Sequence, residues 1–323
     1  LPGTHAPVDR NLDLPDVLPA GRCPCPIRRL PRAIAAPSTA SVRYILTLSC
    51  LDRPGIVAAV ASFLASRNCN IVESAQFGDA DTGRFFMRVV CTPVTDGVDR
   101  EAVARDFSEV AAAFGMDWQL HDAGERMRVL IMVSRQDHCL NDLLYRYKVG
   151  ALQMEPVAIV SNHRDTYRLA ASYDIPFHHL PVTAATKASQ EAKLDALIEE
   201  SGAQLIVLAR YMQILSDGLA RRLAGRAINI HHGLLPSFKG AKPYHQAHAR
   251  GVKLIGATAH YVTHDLDEGP IIEQEVARVE YNMSADDLVA LGRDVECLAL
   301  ARAVRDHLQH RVFVNGGKTV VFR

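Results

Sequence analysis

The chain has 323 residues, with 36 Lys plus Arg against 36 Asp plus Glu, so its formal charge is zero. It therefore lacks the strongly basic balance of a nucleic-acid or anionic-membrane binder. Hydrophobic residues make up 48% and charged residues 22%, which supplies cores for roughly two domains. No apolar run approaches the length of about 18 residues that a membrane-spanning helix needs.

Residues 1–40 hold Pro2, Pro7, Pro15, Pro19, Pro24, Pro26, Pro31 and Pro37, half of the chain's 16 prolines, interleaved with arginines and without hydrophobic period. Such a stretch buries too little to offset its ordering entropy, and we expect a disordered extension. It has no apolar segment of the kind that opens a secretory signal. The seven cysteines are odd in number and scattered, which reads as free thiols in a reducing cytoplasm rather than a disulfide framework. Cys23-Pro24-Cys25 is too tight a spacing for a zinc knuckle, and no metal is expected.

A first compact unit is expected over residues 41–122. Tyr44 to Cys50 is apolar and β-branched, a strand. Asp52-Arg53-Pro54-Gly55 makes a turn in which Asp52 is placed to cap the following helix, from Ile56 to Asn68. Two strands follow, Ile71 to Phe77 and Gly83 to Cys91, then a helix from Arg100 to Phe114 and a strand from Asp117 to His121. The order βαββαβ is ferredoxin-like. On Leu51-Asp52-Arg53-Pro54-Gly55-Ile56-Val57, with Asn70-Ile71 opening the second strand, this unit resembles an ACT domain. That resemblance implies a regulatory amino-acid site at Asp52, Pro54, Gly55 and Asn70, with methionine or glycine as the effector. It also implies homo-oligomers formed through paired sheets.

From residue 127 to residue 323 strands and helices alternate, beginning with the apolar run Arg128 to Val133, and the expected fold is a Rossmann-like doubly wound α/β domain. Strands are expected at Pro156 to Ser161, Gln204 to Leu208, Arg226 to Ile230, Leu254 to Val262 and Pro270 to Glu280. Helices are expected at about Leu140 to Lys148, Asp165 to Tyr173, Ala188 to Ser201 and Ser216 to Leu223, with a long final helix after Ser284. Short closing strands flank Asn315-Gly316-Gly317.

In such a sheet, ligands bind beyond the carboxyl ends of the strands. Asn229-Ile230-His231 places an amide and an imidazole two residues apart at a strand end, on one face, where both can donate to a developing oxyanion. Thr263-His264-Asp265-Leu266-Asp267-Glu268-Gly269-Pro270 brings carboxylates to a turn. Each piece alone is weak: strand-end histidines are mostly structural, and Asp-Glu-Gly-Pro is a common turn. Asn229 to Glu275 together resembles the folate-dependent formyltransferase family, which couples Asn-x-His to a downstream Leu-Asp-x-Gly-Pro. The resemblance implies Asn229, His231 and Asp267 as the catalytic trio, with Asp265 the rival carboxylate and His260 in support. Tandem His231-His232, the run Gly240-Ala241-Lys242-Pro243-Tyr244-His245 and Ser134-Arg135-Gln136-Asp137-His138 are similar to the deformylases within that family. No glycine lies between Ser134 and Lys148, where the ribonucleotide transformylases carry a glycine-rich phosphate loop.

The expectation is thus a cytoplasmic hydrolase that splits 10-formyltetrahydrofolate into formate and tetrahydrofolate. It would supply formate for purine synthesis and balance the one-carbon folate pools, with the folate as substrate and no separate cofactor. The pterin would lie against Met212, Gln213, Ile214 and Leu215, and the loop residues Thr263 and Asp265 would read its polar edge. Partial burial would raise the carboxyl of Asp267 toward neutrality. Two other readings stay open: transfer of the formyl group to an amine, and a non-catalytic folate or amino-acid sensor.

Overall fold

The computed structural model describes residues 42–95, 98–237 and 243–323. The expected extension over residues 1–40 and the segment 238–242 after His231 lie outside these.

The first unit contains β1 (Tyr44–Leu51), α1 (Ile56–Ser66), β2 (Cys69–Asp79), β3 (Arg84–Pro93), α2 (Arg100–Phe114) and β4 (Asp117–Asp122). Its antiparallel sheet runs β2-β3-β1-β4. Alternation puts Leu46, Leu48, Met87 and Val89 on one face, where they pack with Val60, Leu64 and Phe107 of the two helices. One expectation fails here. Gly55, at φ 96°, occupies the N-cap of α1, and no side chain caps this helix. A glycine suits that left-handed backbone. The Asp52 carboxylate turns instead toward β2, where a Cβ added to Gly78 would come within 2.6 Å of its Oδ2.

The second unit contains a seven-stranded sheet, built from β5 (Met127–Val133), β6 (Met154–Ser161), β7 (Phe177–His179), β8 (Leu205–Leu208), β9 (Ala227–His231), β10 (Leu254–Tyr261) and β11 (Ile271–Arg278). Strand order is β11-β10-β9-β8-β5-β6-β7. The pairs among β5 to β9 are parallel, and β10 and β11 add antiparallel. Both faces are covered, which is why β5 reads as an unbroken apolar run. Val129, Ile131 and Val133 face a cluster with Leu140 and Leu143 of α3 (His138–Lys148) and Ala299, Leu300 and Val304 of α8 (Ala285–Leu308). Leu130 and Met132 face Leu194 and Ile198 of α5 (Lys187–Glu200) and Leu219 and Leu223 at α6 (Asp217–Arg222). The short helices α4 (Tyr167–Ala171) and α7 (Pro243–Ala249) complete the layers.

A closing hairpin, β12 (Val312–Asn315) with β13 (Lys318–Val321), lies between the two units. Phe313 meets Phe86 edge-on, at 5.9 Å between ring centroids, on the sheet face of β3 that the helices leave uncovered. Asn315 Nδ2 donates to Asp79 at 2.6 Å, and Lys318 Nζ pairs with the same carboxylate at 2.9 Å. On its other side, Thr319 Oγ1 donates to the backbone oxygen of Ile271 at 2.6 Å.

Candidate active site

Strand order reverses between β5 and β8, and the crevice beyond their carboxyl ends opens into a cavity of about 720 Å³. Asn229, His231, His260 and Asp267 line it, together with Met212, Gln213, Ile214, Leu215, Thr263 and Asp265. Every catalytic and substrate-binding residue expected from the sequence therefore borders one space.

The β8 loop is pinned by backbone and hydroxyl bonds. Ala209 N donates to the Met132 carbonyl at 2.8 Å, and Met212 N donates to Ser134 Oγ at 2.9 Å. The side chains of Met212 and Ile214 are consequently displayed rather than packed, with 57% and 58% exposure. That is the opposite of an ordinary helix-start core and suits an apolar slot for a flat ring.

Ile228 and Ile230 point into one hydrophobic cluster, so the period of the strand sends Asn229 and His231 to the other face. On the neighbouring β10, His260 pairs in register with Asn229. His260 Nδ1 lies 2.9 Å from the Tyr261 carbonyl and so carries the proton, and its Nε2 accepts from Asn229 Nδ2 at 3.2 Å. Burial holds the His260 pKa below the usual histidine value, consistent with this neutral tautomer. The 3.8 Å approach of its Nε2 to Asp267 is then a contact between two acceptors and not an ion pair. His260 orients Asn229, whose second amide hydrogen is left for the cavity.

Asp267 Oδ2 lies 3.2 Å from His231 Nδ1. The residue stands at φ 57°, a left-handed backbone that costs roughly 1–2 kcal/mol for a side chain with Cβ. The turn beneath it is forced: Tyr261 N donates to Pro270 O at 3.0 Å, and a Cβ on Gly269 would meet Tyr261 O at 1.7 Å. The hydrogen bond from His231 holds the Asp267 carboxyl below its ordinary pKa, outweighing its burial. This corrects the expectation of a raised value: the sequence could show burial but not the imidazole partner. His231 Nε2 is buried and has no partner among the described residues, so it is the ring nitrogen left for a ligand.

In another wall of the cavity the sequence marked Gln136, His138 and Tyr244 only as family-like runs and did not mark Glu296, which joins them. Glu296 of α8, 1% exposed, accepts from His138 Nε2 at 2.8 Å and from Tyr244 OH at 2.9 Å, and pairs with Arg210 Nε at 3.3 Å. Gln136 Oε1 accepts from Arg210 Nε and Nη2 at 3.1 and 2.8 Å. Burial works to raise the Glu296 pKa, but His138, Arg210 and Tyr244 together hold it below the ordinary value. Gly292 makes the helix contact possible, since a Cβ there would come within 2.3 Å of the Tyr244 ring. His138, Cys139 and Glu296 also place three possible metal-ligand atoms within 4.8 Å of one another. The cluster is poorly suited to a cation. Arg210 already neutralises the carboxylate, and the Cys139 thiol is pushed up by its hydrogen bond with Cys297 and by burial, away from the thiolate a metal needs.

In the first unit the regulatory residues are not assembled within one chain. Leu51, beside the Asp52 turn, pairs with Arg84, whereas Asn70 pairs with Thr92, eight residues further along β3. The two ends are about 26 Å apart at strand spacing.

Residues 127–304 match the formyl transferase family and residues 44–112 the ACT domain family. A formyltetrahydrofolate deformylase of Corynebacterium sp. (strain P-1) is 54% identical over 282 residues, covering 87% of this chain and 99% of the relative. The chain belongs to the formyltetrahydrofolate deformylase family. The crystal structure of a deformylase from Burkholderia mallei superposes with a TM-score of 0.84 at 55% identity, covering 87% of this chain and all of that one. The catalytic fold is shared more widely: glycinamide ribonucleotide transformylase 1 from Symbiobacterium toebii matches with a TM-score of 0.58 at 26% identity, over 64% of this chain and 98% of its own. No helix among the described residues is long and apolar enough to cross a membrane.

Proposed function

We propose that this chain hydrolyses 10-formyltetrahydrofolate to formate and tetrahydrofolate at the Asn229–His231–Asp267 cluster. The observation that carries the reading is the pairing of His231 Nδ1 with Asp267, which leaves the buried Nε2 without a partner among the described residues, in a cavity that Asn229, Met212 and Ile214 also line. The formyl oxygen accepts from Asn229 and from His231, which donates at both nitrogens when charged, with Asp267 as its counter-ion. Removing one such donor typically costs about 10²–10³ in rate. Water forms the new bond to the formyl carbon, its proton passes to the Asp267–His231 pair, and the proton returns to the folate nitrogen as the carbon–nitrogen bond breaks. The depressed pKa of Asp267 secures its charged form, the form that takes the proton of water while His231 is charged.

The ACT unit would bind methionine or glycine and set the rate. The free amides at the uncapped start of α1 suit a carboxylate. Because Asn70 lies at the far end of the sheet, the site is completed by a second copy, and the active protein is a homo-oligomer.

Formate release from 10-formyltetrahydrofolate without any amine tests the activity. Stoichiometric formate and tetrahydrofolate are expected, and Asp267→Asn should lower kcat by about 10³-fold while keeping the wild-type melting temperature within a few degrees. Turnover only after an amine is supplied would replace hydrolysis by transfer.

A further inference from the structure

The reaction requires the cavity to admit water and refuse amines, which are stronger nucleophiles. The trio itself does not discriminate, since a formyl group can be handed to either from the same oxyanion site. The wall opposite the folate slot differs in kind. Its acceptor atoms are already engaged: Glu296 Oε2 by His138 and Arg210, Glu296 Oε1 by Tyr244, and Gln136 Oε1 twice by Arg210. Gln136 and His138 belong to the glycine-free segment after β5, so the stretch where a phosphate cradle would be sought is turned inward to hold Arg210 and Glu296.

One donor remains. Arg210 is 8% exposed, and its Nη1 is buried with no partner among the described residues, on a side chain that lines the cavity. Arg210 also stands at φ 65°, a backbone that favours glycine, so the chain keeps a large cation where the turn alone would select no side chain. His232 also lines this cavity, with its ring 5.4 Å from that of His231 and 6.3 Å from that of Tyr244.

We propose that Arg210, clamped by Gln136 and Glu296, is the specificity-determining residue that restricts the formyl acceptor to water. This rests on the hydrolase reading above. A fixed cationic donor receives a lone pair of water, and later an oxygen of formate. It offers nothing to the N–H bonds of an amine and repels the ammonium form. Without it, an amine nitrogen can form the new bond to the formyl carbon, its proton passing to the folate nitrogen as the old carbon–nitrogen bond breaks.

The test supplies 10-formyltetrahydrofolate with hydroxylamine or glycinamide. It measures tetrahydrofolate, formate and the N-formylated amine by mass spectrometry for the wild type, Arg210→Gly, Arg210→Gln and Arg210→Lys. In the wild type, formate should equal tetrahydrofolate at every amine concentration. The ratio of formylated amine to formate should rise by about tenfold or more in Arg210→Gly and Arg210→Gln and stay near the wild-type value in Arg210→Lys, which keeps the cation. Arg210→Gln carries the test if the glycine variant does not melt cooperatively. An unchanged ratio in variants that still release tetrahydrofolate overturns the role of Arg210 and leaves hydrolysis standing. A wild type that releases no formate without an amine overturns both.

Discussion

On one side of the cavity, Met212 and Ile214 stand more than half exposed, in a loop held by backbone and hydroxyl bonds to Met132 and Ser134, and on the proposed function they gain contacts when the folate arrives. On the other side, Glu296 is 1% exposed and joined to three neighbours, with every contact already made. On the proposed function, the first wall stores binding energy for the substrate. The second has used its energy internally and presents a fixed electrostatic surface. A substitution should therefore change affinity on the first wall and stability on the second, with the trio between them controlling rate.

The largest effect of that division is expected at Glu296. Glu296→Ala leaves Arg210 buried without its counter-charge, and breaking such a pair costs about 3–5 kcal/mol. Urea unfolding should show this as a lowered midpoint, and a stable variant would mean the wall is not a structural unit. Asn229→Ala should lower kcat by about 10²–10³ with little change in the unfolding midpoint, because His260 remains bonded to the Tyr261 carbonyl.

Acid sharpens the contrast further. Asp267 and Glu296 have depressed folded pKa values, so their contribution to stability is fully present above about pH 4, the ordinary carboxylate range, and is lost only as pH falls through the folded values. The histidines where the two units meet behave oppositely. His310 stacks on His121 at 3.5 Å, and burial, with His121 adding repulsion, lowers its pKa to about 3. The unfolded chain binds a proton at His310 below about pH 6.5 that the folded chain refuses until about pH 3. Stability should thus fall between pH 6.5 and 5 by up to roughly 1.4 kcal/mol per pH unit, and His310→Gln should flatten that slope. A slope unchanged by the substitution would move the acid sensitivity to the cavity. The smallest effect belongs to Met212→Ala, expected to raise KM about fivefold with kcat and unfolding midpoint unaltered.

The walls also differ in how far the sequence revealed them. The proposed folate slot and catalytic trio lie in contiguous stretches, 209–216, 229–231 and 263–270, each at the end of a strand whose apolar run marks it. The ferredoxin-like unit and most of the parallel sheet were equally plain, because their strands and helices carry strong periods. The second wall was not read as a unit: Gln136, His138 and Tyr244 stood in family-like runs and Arg210 within 209–216, but Glu296 was not marked and these residues meet only in three dimensions. A signal existed in α8: Glu296 falls on the stripe of Gly292, Val295 and Ala299, where an acid needs a partner. β7 escaped notice because a strand of three residues has no period to read. The cap assigned to Asp52 failed because Gly55, three residues on, had a stronger claim on the helix start.

The closing hairpin bears on how this protein can be rebuilt. Phe313, Asn315 and Lys318 belong to the far end of the sequence yet hold β2 and β3 of the first unit, and Thr319 holds the residue that follows Gly269-Pro270. A chimera that exchanges the front unit between relatives at residues 122–127 would cut through the linker and leave a mismatched seam. The graft must carry residues 309–323 with it, so the exchangeable cassette is discontinuous in sequence.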